Sequence, residues 1–264
     1  MRIVSLIIAM AAIAIVPVPS RAQGIPPLDI YLLMGQSNMS GRAPLTGLPA
    51  FENASHVWMF RKGRFIPAVE PVGQDPAARV GPSLAFANDL YAANHRPIGL
   101  INCALGGTFM SQWSDFDDPK GLYRTCVDQA KLAQINGSIR GILFFQGEYD
   151  AWKMETVLAW PAKMVALAAM LRQDFANASL PIVITEIGPE SSRPETQTLI
   201  SEQGAMTTSI THLAVVSATD LPYLRDNLHL TQASEITLGR RYAVAMLSLF
   251  EQDGAGSDGK AVDR

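Results

Sequence analysis

Charge is sparse in this sequence and neither sign dominates. Only 17% of the 264 residues are Asp, Glu, Lys or Arg, with 21 basic residues against 24 acidic ones. A formal net charge of -3 leaves no basic surplus to neutralise a phosphate backbone, so nucleic acid is not an expected partner. There are four histidines and two cysteines, with no Cys-x-x-Cys and no cysteine–histidine cluster. The usual zinc and thiol-redox signatures are therefore missing, and no metal site is expected. Beyond the N-terminus no apolar run approaches the length of a transmembrane helix, and there is no internal repeat. What remains is a chain that is 48% hydrophobic, long enough for one sizeable α/β domain with a proper core and too short for two comfortable ones.

The first residues read as a targeting segment. Arg2 supplies a positive end, residues 3–16 are apolar apart from Ser5, and Pro17 and Pro19 stop any helix. Ser20-Arg21-Ala22 then offers small residues at a cleavage site. A signal peptide over residues 1–22 is expected, with a mature chain that works outside the cytoplasm and is not stably inserted after cleavage; an uncleaved anchor is the competing reading. In an oxidising compartment Cys103 and Cys126 can form a disulfide, contributing about 3 kcal/mol for a loop of that size. Two small buried thiols are the alternative, and the sequence leaves both open.

Short apolar runs at residues 28–34, 97–103, 141–145, 181–186 and 213–217 show no alternation, the pattern of strands covered on both faces. Helical patterns occupy residues 82–93, 122–135, 151–175, 195–211 and 232–250, with Thr231 placed to cap the last. This alternation predicts an α/β fold with a mostly parallel five-stranded sheet and helices on both faces. Residues 41–80 are irregular, with a small hairpin around 57–66, and read as an insertion shaping a rim. The domain is expected over residues 23–251, and the polar, Gly-rich residues 252–264 as a tail without fixed structure.

The chemistry-bearing residues follow the strands. Ser37, in Gly35-Gln36-Ser37-Asn38-Met39, stands just past the first strand, where a hydroxyl is exposed at the carboxyl edge of a sheet near outward-pointing N–H groups. After the second strand, Gly106-Gly107-Thr108 can bring a main-chain donor close to a ligand, or can simply serve a tight turn. After the third, Gln146 offers a neutral amide, while Glu148 and Asp150 are either a carboxylate pair for glycoside hydrolysis or, the favoured reading, acids that hold loops together. Late in the chain Asp226 and His229 lie three apart, close enough for the carboxylate to fix the imidazole tautomer and leave Nε2 free for a serine proton. Ligands bind outside the carboxyl ends of strands in a doubly wound sheet, so these stretches converge on one edge.

At these residues the sequence resembles the SGNH hydrolase superfamily, and within it the carbohydrate esterase family 6 and sialate O-acetylesterase-like branch. The ordered set is Gly35 to Met39, Val80-Gly81-Pro82, Gly106-Gly107-Thr108 with Trp113, Gln146-Gly147-Glu148 with Asp150, and Asp226-Asn227-Leu228-His229. The resemblance implies a three-layer flavodoxin-like fold, no metal or organic cofactor, and removal of acetyl groups from O-acetylated carbohydrate, as in acetylxylan esterases. It implies Ser37 as nucleophile, His229 as base and Asp226 as orienting acid. It also implies an oxyanion hole made by the N–H groups of Ser37 and Gly106 and the Gln146 side chain. Gln36, Asn38, Gly107, Thr108, Glu148 and Tyr149 are candidates for the substrate pocket. Two positions depart from the family pattern: Tyr149 stands where a small residue is usual, and Phe109 where Ser or Thr usually follows Thr108. A lipase or thioesterase for longer acyl chains, or a carbohydrate-binding protein without activity, are the alternatives.

Overall fold

The computed structural model describes residues 24–189 and 193–258. The expected signal peptide lies outside these residues, as do residues 259–264 of the expected tail. In chain order the elements are β1 (Leu28–Gly35), α1 (Ser37–Ser40), β2 (Val57–Arg61), β3 (Arg64–Pro67), α2 (Ser83–Asn94), β4 (Ile98–Asn102), α3 (Met110–Trp113) and α4 (Leu122–Ala133). They continue with β5 (Gly137–Phe145), α5 (Met154–Asp174), β6 (Ile182–Glu186), α6 (Pro194–Gly204), β7 (Leu213–Ser217) and α7 (Gln232–Asp258).

One sheet runs through the molecule in the order β3-β2-β4-β1-β5-β6-β7. It has seven strands where the apolar runs predict five. The two additional ones are the hairpin of the irregular segment: β2 pairs parallel with β4, and β3 pairs antiparallel with β2 at the edge. The segment thus extends the sheet as well as shaping its rim. Every residue of β1 is buried, as a central strand covered on both faces requires. Each Leu or Ile sequestered there contributes roughly 1.5–3 kcal/mol. Helices α2 and α7 pack on each other on one face, and α3 to α6 form the other layer.

Thr231 does cap α7: its hydroxyl accepts the Ser234 N–H at 3.2 Å. That helix continues to Asp258, so the helix runs on through residues 252–258, where a structureless tail is predicted. Helix α5, with 21 residues and a mean hydropathy of 1.3, is long and apolar enough to cross a membrane by length and composition, contrary to the expectation of no such stretch. Its buried residues Val157, Trp160, Met164, Leu167 and Leu171 recur at three- and four-residue spacing, the stripe of a helix docked on a core. Cys103 and Cys126 are bonded, with Cα atoms 5.7 Å apart, tying the end of β4 to α4.

Candidate active site

The chain leaves β1 through a turn that only glycine allows. Gly35 has φ +120°, and a side chain there would overlap the Phe145 carbonyl of β5. The Gln36 N–H donates to that carbonyl at 2.9 Å, and Ser37 then opens α1. Strand β1 lies between β4 and β5, so the loops that follow those strands flank Ser37 on both sides. This is the switch point of the sheet, where successive strands are laid down in opposite directions.

The loop after β7 returns to the same edge and is bonded largely to itself. Asp226 Oδ1 accepts the Leu228 and His229 N–H groups, each at 3.0 Å, and Leu224 N–H donates to the His229 carbonyl at 2.7 Å. Asp226 Oδ2 stands 2.7 Å from His229 Nδ1, and His229 Nε2 stands 3.1 Å from Ser37 Oγ. Burial pushes the Asp226 carboxyl up, but the His229 N–H, the imidazole and the Leu228 N–H outweigh it and hold the group below the usual carboxylate range. It is therefore ionised at neutral pH, and a carboxylate facing Nδ1 favours the tautomer that leaves Nε2 as acceptor. Hydroxyl, imidazole and carboxylate in this sequence of contacts can activate a nucleophile.

Asn38 joins the two halves. Fully buried, it donates to the Leu228 carbonyl at 3.0 Å and accepts the Leu230 N–H at 3.1 Å, while its amide also reaches Glu148 Oε1 at 2.8 Å. Gln36, equally buried, donates to the other Glu148 oxygen. Burial pushes the Glu148 carboxyl up to about 7, against the lowering effect of these two amides. Gln36 and Asn38 are thus scaffold, not pocket lining. Thr108 is likewise buried, with its hydroxyl donating to the Leu105 carbonyl and accepting the Trp113 indole N–H. Asp150 accepts the Met110 N–H and the Gln146 amide, which makes it the loop-holding acid of the favoured reading.

The donors expected for an oxyanion require a correction. The Gln146 amide is fully buried and spent, donating to the Thr108 carbonyl at 2.6 Å and to Asp150 at 3.1 Å. An amide with no access to water must satisfy its N–H groups internally. The Gly106 N–H donates to Asp75 Oδ2 at 2.9 Å. Burial pushes the Asp75 carboxyl up, but the Ala77 N–H, Arg42 and the Gly106 N–H together hold it below its ordinary value, so it is a charged acceptor. Of the three expected donors, the Ser37 N–H alone, at the first position of α1, has no acceptor among the described residues. Asp75 and its ion-pair partner Arg42 lie in the irregular segment with no motif around them, so no sequence signal points to either.

Gly107, with φ +76°, and Tyr149 do meet, the tyrosine hydroxyl lying 3.7 Å from where a Gly107 Cβ would stand. Tyr149 also packs edge-on against Phe109, ring centres 5.5 Å apart, so the two positions that depart from the family pattern touch each other. A cleft of about 590 Å³ is lined by Glu148, Trp152, Arg193, Asp226 and Leu228, among others. A larger hollow of about 840 Å³ between β7 and α7 contains none of these groups. Among the described residues no three His, Cys, Asp or Glu side chains are placed to hold a metal ion.

The family model described as carbohydrate esterase, sialic acid-specific acetylesterase, matches residues 27–248. A probable carbohydrate esterase of Arabidopsis thaliana is 30% identical over 254 residues, covering 88% of this chain and 95% of that protein. A crystal structure of an Arabidopsis thaliana protein, 29% identical, superposes with a TM-score of 0.76 over 84% of this chain and 99% of its own. A carbohydrate acetylesterase from Xanthomonas citri shares the fold at 20% identity, with a TM-score of 0.61 over 82% of this chain and 55% of that one.

Proposed function

This chain belongs to the carbohydrate esterase family of sialic acid-specific acetylesterases, and from that membership we propose that it hydrolyses acetyl esters on carbohydrate through an acyl-Ser37 intermediate. The observation that carries the proposal is the unbroken line Ser37 Oγ, His229 Nε2, His229 Nδ1, Asp226 Oδ2, with its 3.1 Å and 2.7 Å contacts. His229 takes the Ser37 proton as the hydroxyl attacks the acetyl carbonyl. The resulting oxyanion lies toward the Ser37 N–H, and Asp226 stabilises the imidazolium. The sugar oxygen leaves with the proton from His229. Water then attacks the acetyl-serine by the reverse roles, releasing acetate and restoring the hydroxyl.

Export of the mature chain is part of the same proposal. It is supported by the N-terminal sequence pattern and by the Cys103–Cys126 bond, which an oxidising compartment maintains. Short acyl groups are supported by the Tyr149–Phe109 contact, which sets two large rings beside the Gly107 loop.

Acetate release from acetylated xylan, acetylated sialic acid and acetylated hexoses, together with p-nitrophenyl acetate hydrolysis, tests the reading. Ser37→Ala should lower kcat by at least about 10⁴-fold with an unchanged melting temperature. Wild-type rates in that variant would remove Ser37 from the mechanism. A preference for octanoate over acetate would instead identify a long-chain esterase.

A further inference from the structure

In the reaction proposed above the imidazole must reach the oxygen of the departing alcohol, so the alcohol lies on the side of the base loop. The 590 Å³ cleft adjoins that loop: Asp226, Asn227 and Leu228 line it. Whole small-molecule ligands occupy pockets of about 300–1,000 Å³, so a cleft of about 590 Å³ can hold a sugar ring, and with neither Ser37 nor His229 in its lining that ring is a neighbour of the acetylated one. The lining also includes Trp152, 66% exposed, which is unusual for the largest apolar side chain unless something covers it in use.

The indole is held in place. The Arg193 guanidinium lies over its ring, 5.4 Å from the centroid, and is tethered by the Ala151 carbonyl at 3.2 Å. Asp150, two residues before Trp152, is buried and bonded to the Met110 N–H, so the backbone beneath the ring is anchored too. A large aromatic surface that is both exposed and ordered suits the C–H face of a pyranose, and it pays little ordering entropy on binding. Thr196 and Arg193 add polar groups to the same cleft, which suits a hydroxylated occupant better than an acyl chain.

We infer that the Trp152 cleft is a subsite for a second sugar residue of an acetylated oligosaccharide, with the indole stacking on the ring next to the acetylated one. The inference rests on the esterase reading of Ser37, His229 and Asp226, and it makes the substrate a glycan chain instead of a single sugar.

The test compares kcat/KM on acetylated tetrasaccharides of xylose, mannose and glucose with kcat/KM on the matching acetylated monosaccharides and on p-nitrophenyl acetate. The wild type should favour at least one tetrasaccharide over its monosaccharide. Trp152→Ala should reduce that preference about five- to tenfold, chiefly through KM, and Trp152→Phe, which keeps a stacking ring, should recover most of it. Calorimetric binding of the deacetylated tetrasaccharide to Ser37→Ala should weaken by a similar factor when Trp152→Ala is added. The inference is overturned if no tetrasaccharide is preferred by the wild type, or if Trp152→Ala leaves both the preference and the binding as they were. If the wild type shows no Ser37-dependent hydrolysis of any ester, p-nitrophenyl acetate included, the esterase reading falls and takes the subsite with it.

Discussion

Ser37 and its proposed base, His229, are held in contrasting ways. Ser37 and its neighbours Gln36 and Asn38 are buried at the end of the central strand, fixed by the Phe145 carbonyl and by Glu148. The base loop is near the surface, with 21% of the His229 side chain and 47% of the Asp226 side chain exposed. Its internal bonds set the Asp226–His229 geometry, but among the described residues only Asn38 ties its backbone down to the Ser37 segment. One half of the site is thus part of the core, and the other is a self-shaped loop pegged to it. The lesson is that a loop can carry catalytic groups accurately if its register is fixed by a buried side chain at the correct point.

The sharpest way to break this arrangement, after removal of Ser37 itself, is to remove the peg. Asn38→Ala should leave the Asp226–His229 contact intact but let the loop shift relative to Ser37, lowering kcat on p-nitrophenyl acetate about 10²-fold. Unchanged kinetics would mean the loop holds its position unaided. A smaller kinetic effect is expected at Gln146, which the structure places in the scaffold. Gln146→Ala should lose about 2–3 kcal/mol in denaturant unfolding, since Asp150 and the Thr108 carbonyl lose a donor, with kcat falling less than tenfold. A loss near 10²-fold in kcat at full stability would return the amide to the oxyanion.

The contrast is also sharpened through pH, with no loss of catalytic rate expected. Glu148 titrates at about 7 in the folded protein against about 4.5 for an unperturbed carboxyl. The folded state therefore holds this proton more tightly. Its contribution to stability is complete below pH 4.5 and is lost as pH rises to about 7, amounting to about 3 kcal/mol. Glu148→Gln should flatten the stability profile across that window, measured by urea midpoints from pH 4.5 to 8. An unchanged slope would assign the pH dependence to other buried acids.

Much of this was legible in the sequence, and for identifiable reasons. The central strands are buried on both faces, so they appear as uninterrupted apolar runs. Asp226 and His229 are three residues apart, so their contact is a local property. The hairpin of β2 and β3 is legible as a local unit, but its joining to the main sheet is not, because the union of β2 with β4 is a long-range event. The acceptors of the Gly106 and Gln146 N–H groups are hidden in the sequence for a related reason. Whether an N–H is free depends on what else reaches it: Asp75 arrives from a segment that carries no motif, and the pairing of Asp150 with the Gln146 amide is set by the turn between them, which residue identity does not announce. Asn38 sits in a recognisable motif, but its partners Leu228 and Leu230 are about 190 residues away and contribute backbone atoms, which no residue identity announces.

The bond between Cys103 and Cys126 has a practical corollary. Cys103 immediately precedes the loop of Ala104 to Gly107, whose Leu105 N–H bonds the Gly35 carbonyl two residues before Ser37. Material made in a reducing cytoplasm would have that loop moored only by its hydrogen bonds. The specific activity of a preparation should then track its thiol content, so that two laboratories using different production hosts could measure different enzymes from one gene.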